Sequence, residues 1–193
     1  MRESILRKAA ESARVAAQLF DRDAQRFEDC VRAMAGRFQE RGRLWAIGNG
    51  GSACDAQHVA VEFQHPIIEK RRALPAMALT TDGATLTAIG NDRDFSLVFA
   101  EQLRLLGGPP DIALGISTSG QSASVIRGLQ AARDMGMLTV AFSGRDGGRM
   151  AEVAEHCFVV PSFSIHRIQE CHTILLHLLW DQVHVALGED DVL

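Results

Sequence analysis

The sequence predicts an α/β domain: a five-stranded, mainly parallel sheet with helices on both faces, a flavodoxin-like three-layer sandwich, preceded by an N-terminal helical pair. Three observations carry this. From residue 44 onward, short apolar runs recur without strict alternation, as strands covered on both faces do. The segments between them are long enough for crossover helices. The glycine- and serine-rich motifs fall just after the runs, outside the carboxyl ends of the strands, where parallel sheets bind ligands.

At 193 residues and 47% hydrophobic content, the chain can bury one substantial core. A formal charge of −4 with no long basic run argues against nucleic acid as the main partner. Cys30, Cys54, Cys157 and Cys171 lack CxxC spacing and fit reduced thiols in a cytoplasmic protein. The charged N-terminus lacks the apolar core of a signal peptide, and no run approaches the ~20 apolar residues of a membrane span. No membrane partner is expected.

Residues 1–41 contain no proline. Ile5, Ala9, Ala13, Ala16 and Phe20 form one helical stripe, and Phe27, Val31, Met34 and Phe38 a second. Asp21 or Asp23 is placed to cap the second helix after a short break. This pair is assigned to packing and oligomerisation, with the main domain spanning 42–193.

The first apolar run, Leu44 to Ile47, leads into Gly48-Asn49-Gly50-Gly51-Ser52 and then a helix. Such a turn leaves free N–H groups at the positive end of the helix dipole. On that helix His58 and Glu62 stand four residues apart, hence on one face. The second run, Ala76 to Leu79, precedes Thr80-Thr81-Asp82-Gly83 and a short helix ending at Asn91-Asp92. The third, Ile112 to Ile116, precedes Ser117-Thr118-Ser119-Gly120-Gln121-Ser122 and a helix from Ala123. Hydroxyls, a glycine and a helix start make a nest suited to a phosphate monoester, and the absence of a Walker lysine argues against a nucleoside triphosphate. Capping by Ser119 or Ser122 is the simpler alternative. The fourth run, Leu138 to Phe142, leads to Ser143 to Gly148, read as a plain turn. After Cys157 to Val160 comes an apolar helix carrying Gln169, Glu170, His172 and His177. A lone histidine on such a helix is usually a hydrogen-bonded core or surface residue.

Taken together, the glycine loop with His58 and Glu62, Leu86 to Asp92, Ser117 to Gly120, and Ile168-Gln169-Glu170 with His172 and His177 resemble the phosphoheptose isomerases of the sugar isomerase (SIS) domain family. The resemblance spans nearly the whole chain. It implies a single SIS domain and a cytosolic homotetramer interconverting sedoheptulose 7-phosphate and glycero-manno-heptose 7-phosphate. It also implies one zinc, or another divalent metal, per site, held by His58, Glu62, Gln169 and His177. Glu62 and His177 match the acid/base pair. Asn49, Gly50, Gly51, Glu62, Asn91, Asp92, Ser117, Thr118, Ser119, Ser122 and Gln169 match substrate contacts, with the serines on the phosphate.

Helix geometry adds a constraint. Gln169 and His177 are eight residues apart, roughly 12 Å along one straight helix, too far to share an ion. Either Gln169 precedes the helix proper, or the two come to one site from different subunits, which is the arrangement expected. One departure concerns specificity: the arginine that follows this glutamate in the family is absent, the sequence reading Phe63-Gln64-His65-Pro66-Ile67. This leaves the reaction centre intact and the particular sugar open, with His65 a possible replacement contact. The competing reading is a non-catalytic SIS protein that binds a replication initiator or senses a sugar phosphate. Glu62 discriminates, because such adaptors lack the carboxylate.

Overall fold

The computed structural model describes residues 1–68 and 70–191. In chain order the elements are α1 (Arg2–Gln39), β1 (Leu44–Gly48), α2 (Gly51–Gln64), β2 (Ala76–Ala78), α3 (Gly83–Asp92), α4 (Val98–Leu106), β3 (Ile112–Ile116), α5 (Ala123–Asp134), β4 (Leu138–Gly144), α6 (Met150–Val153), β5 (His156–Val160) and α7 (Ile165–Ala186). The strands form one sheet in the order β2-β1-β3-β4-β5. Every pairing is parallel, with Leu44 of β1 opposite both Ala76 and Ile112. All five expected strands are present.

The sheet separates two cores because successive side chains of a strand point to opposite faces. Leu44 and Ala46 face a core shared with α1, α2 and α7, whereas Trp45 and Ile47 face one shared with α4 and α5. β1, β3 and β4 are buried at every position. That accounts for apolar runs without alternation.

The N-terminal pair is corrected: α1 is one continuous helix of 38 residues. Asp21 and Asp23 lie inside it and cap nothing. Asp23 is 2% exposed and pairs with Arg22 at 2.6 Å and Arg26 at 3.1 Å. Burial raises the Asp23 pKa, but the two guanidiniums more than offset it and hold the carboxylate below its ordinary range. The same arginines donate to Val159 O and Cys157 O of β5. They thereby occupy carbonyls of an edge strand that has no further strand to pair with. These ion pairs and hydrogen bonds offset the few tenths of a kcal/mol by which aspartate disfavours a helix interior.

Just before the central strand β3, Asp111 forms a clamp. Its carboxylate accepts from Arg43 N at 2.8 Å, Trp45 Nε1 at 2.8 Å and Gly108 N at 3.0 Å. On α7, His172 is fully buried and bonds Ser143 O through Nε2 at 3.1 Å, while Nδ1 has no partner. Burial pushes its pKa down to about 4, only partly opposed by the Ser143 carbonyl. The unfolded chain therefore binds more protons than the native one between about pH 6.5 and pH 4. His172 should remove up to about 3 kcal/mol of stability as pH falls through that window. Urea unfolding across it, with NMR titration of the imidazole, checks this; an imidazole titrating near 6.5 in the native protein would refute it.

Candidate active site

In this strand order the chain reverses direction of winding between β1 and β3. β1 feeds α2 on one face and β3 feeds α5 on the other, so the loops after these strands diverge and open a crevice. They are the glycine loop and the serine loop.

The glycine loop turns sharply into α2, with Gly50 at φ +56, a left-handed value at which glycine carries no steric penalty. Ser52 N and Ala53 N close the first turn on Asn49 O and Gly50 O. A Cβ at position 51 would collide with Nε2 of Gln169, so the Gln169 carboxamide lies directly against the bare Cα of Gly51. Asn49 Nδ2 donates to Ser122 Oγ and Ser124 Oγ, both at 2.9 Å. This amide joins the two loops across the crevice.

In the serine loop, Ser117 continues the sheet through its N–H to Phe142 O. Its hydroxyl lies 3.5 Å from that of Ser119, which accepts from Gln121 N at 3.2 Å. Ser122 occupies the N-cap position of α5 without a capping side-chain bond, since its hydroxyl meets Asn49 instead. Gly120 sits at φ +64, and a Cβ there would strike Gly147 O. Met150 N donates to Gly120 O, and Ser143 Oγ to Gly147 O. The stretch Ser143 to Gly148 is thus more than a plain turn: it braces the serine loop from behind.

His58, Glu62 and His177 come together within one chain. His58 Nε2 lies 3.2 Å from Glu62 Oε1 and 3.2 Å from His177 Nε2, and one ligand atom from each falls within 4.8 Å of the others. Two ligands of a tetrahedral zinc at ~2.0–2.1 Å stand about 3.4 Å apart, so two facing imidazole nitrogens and a carboxylate fit a divalent ion. Asp55, one turn earlier on α2, has an unpartnered buried Oδ2, and burial pushes its pKa up to about 6 against the pull of His58.

Gln169 does not join this cluster. It lies inside α7, not before it, and touches Gly51 while His177 meets His58, two turns further along. The two helices run parallel, and a rise of roughly 1.5 Å per residue keeps the amide and the imidazole apart. The expectation that His177 and Gln169 come from different subunits is therefore narrowed: His177 completes the triad in its own chain, and only Gln169 would need a second copy. Asn91 and Asp92, at the far end of α3, bond each other at 2.7 Å and, among the described residues, form no side-chain hydrogen bond with the other motif residues. Thr118 lies in the serine loop, partly exposed.

The two arginines that next follow Glu62 are engaged elsewhere. Arg71 is buried on Asp181 at 2.6 Å with its guanidinium 4.7 Å above the Trp180 ring, and Arg72 pairs with Glu189. His65 is exposed and caps the end of α2 with a non-helical backbone, three residues beyond Glu62. Ser124 has no place in the sequence reading, although it stands only two residues after Ser122; Asp55 and Ser143 figure there only as members of their motif and turn.

A 2-1-3-4-5 parallel sheet with these two loops across its switch point defines an SIS domain, and residues 9–144 match the family model described as SIS domain. The chain is 45% identical over 189 residues to a phosphoheptose isomerase of Aquifex aeolicus, covering 98% of this chain and 99% of that one. It is 42% identical over 188 residues to one from Thermodesulfovibrio yellowstonii, at 97% and 94% coverage. Among solved structures, a phosphoheptose isomerase from Neisseria gonorrhoeae superposes with a TM-score of 0.87 at 39% identity, covering 94% and 97% of the two chains. One from Francisella tularensis gives 0.90 at 32% identity, covering 95% and 97%. The chain belongs to the phosphoheptose isomerase family.

Proposed function

We propose that this chain interconverts sedoheptulose 7-phosphate and D-glycero-D-manno-heptose 7-phosphate by proton transfer through a cis-enediol. The observation that carries the reading is the His58–Glu62–His177 cluster, formed where α2 and α7 lie side by side. A non-catalytic sugar-phosphate binder needs only the loop, and the carboxylate among two imidazoles would have no task in it.

The chemistry follows from the residues. Moving a carbonyl from C2 to C1 requires removing a proton from C1, forming an enediol, and placing a proton on C2. Glu62 is the base toward carbon, and His177 exchanges protons with the adjacent oxygens. His58, Glu62 and His177 would hold the metal, zinc being the ion this N/O set suits, with Gln169 of a second copy a further ligand. When bound, such an ion polarises the carbonyl and stabilises negative charge on the enediol oxygens. The hydroxyls of Ser117, Thr118 and Ser119, with the α5 N-terminus, hold the phosphate; Ser122 and Asn49 keep the loops in register around the sugar. Gly50 and Gly51 allow the backbone to approach its reacting end, and Asn91 and Asp92 would reach it from a second copy.

The first turns of α1 fit that assembly. Ile5 is 60% and Leu6 59% exposed, whereas burial in the chain's own core begins only at Val15. A homotetramer covering this stripe would give residues 1–41 their oligomerisation role. All four cysteines are free, and burial pushes the Cys157 and Cys171 thiols up to about 11, in keeping with a cytoplasmic enzyme. No helix is long and apolar enough to cross a membrane among the described residues.

The test is NMR of metal-loaded protein with sedoheptulose 7-phosphate and other ketose phosphates in deuterated water. Deuterium should enter at C1 and C2 of the heptose pair; no exchange with any of them overturns the reading. Converting Ser117 and Ser119 together to alanine should raise KM for the phosphorylated sugar about tenfold or more, since hydrogen bonds to a charged group contribute ~1.5–3 kcal/mol. Unchanged KM would move the phosphate cradle elsewhere.

A further inference from the structure

Behind the serine loop lies a second polar pocket. Gln121, Arg127, Gln130 and Arg149, with Ala123 and Ile126, line a depression of about 280 Å³ between the first turns of α5 and the turn before α6. Residues 123, 126, 127 and 130 share one helix face. Among the described residues, none of the four polar heads has a hydrogen-bond or ion-pair partner, whereas nearby Arg93 and Arg104 both pair with Glu101 and Arg133 reaches Val153 O. No carboxylate lines the pocket. Asp94 feels Arg127, but its carboxylate is held low chiefly by bonds from Ser96. Asp134 stands with Arg127 in a separate groove. In a chain of net charge −4, this is a local reversal of sign with spare donors.

Both walls are tied to the loop in front. Gln121 belongs to it and donates its N–H to Ser119 Oγ at 3.2 Å. Arg149 precedes Met150, whose N–H bonds Gly120 O at 3.1 Å. A Cβ at Gly120 would collide with Gly147 O, so the braces have no slack in which to absorb a displacement.

We propose that this pocket is a second anion site, taking a small phosphate-bearing molecule other than the sugar substrate, and that its occupancy is coupled to the loop Ser117 to Ser122. Two guanidiniums offer planar N–H forks to phosphate oxygens, and two carboxamides add donors. The coupling rests on the serine loop holding the substrate phosphate; the binding does not.

Equilibrium dialysis with labelled inorganic phosphate tests the site on the intact protein at roughly 0.15 M ionic strength, where merely diffuse attraction is screened. Two phosphates per chain are expected. The double variant Arg127→Gln/Arg149→Gln should lose one and keep sugar-phosphate binding, while Ser117→Ala/Ser119→Ala should lose the other. A single site that survives the arginine substitutions overturns the proposal, as does a second site present only at low salt. In kinetics, added phosphate should inhibit the wild type with a non-competitive component that the arginine variant lacks. Purely competitive inhibition in both proteins overturns the coupling, and the dialysis outcome stands apart from whether the heptose is turned over.

Discussion

Glu62→Gln is expected to lower turnover of sedoheptulose 7-phosphate by about 10²–10⁴-fold, the range a positioned general base contributes. Gln keeps the volume and the hydrogen bond toward His58, 3.2 Å away in the native protein, but cannot accept a proton from carbon. Binding of the sugar phosphate should persist, because the serine loop hangs on β3 and α5, not on α2. The measurement pairs steady-state rates with deuterium entry at C1 and metal content by elemental analysis. A variant that holds metal, binds sugar phosphate and fails to exchange places the base. Exchange at the wild-type rate would remove Glu62 from that role.

Asp111→Ala is expected to act on stability alone, lowering the free energy of unfolding by about 3–5 kcal/mol. The carboxylate is 5% exposed, and its loss strands Arg43 N, Gly108 N and Trp45 Nε1 without an acceptor. These donors sit where β1 and β3 begin, the end of the sheet opposite the crevice. Folded protein should therefore isomerise at the normal rate. Asp111→Asn retains one acceptor oxygen and should fall between alanine and wild type. Urea unfolding of the three proteins decides it; a loss below about 1 kcal/mol for alanine would show the clamp to be dispensable.

Together the two substitutions separate chemistry from scaffold, and the same separation governs what was legible in the sequence. The five strands were readable because β1, β3 and β4 are buried on both faces, and double burial leaves an unmistakable apolar run. His58 and Glu62 were readable as a pair because helical spacing is local. The break placed near Asp21 was not real, because a buried aspartate inside a helix is tolerable only with partners such as Arg22 and Arg26, whose second bonds lie on β5, more than 130 residues away. The pairing of Arg71 with Asp181 was likewise illegible, since it joins residues 110 positions apart.

By itself the sequence determined the fold class and the polar motifs that follow the strands, since periodicity and turn chemistry are properties of neighbouring residues. Only the tertiary structure decided which of those residues share a space. It put His177 beside His58, set Gln169 against Gly51 a full two turns away, and spent Asn49 on joining the two loops. Each outcome depends on the parallel register of α2 and α7 and on the crossing between β1 and β3. Those are relations between segments far apart in the chain, fixed by packing.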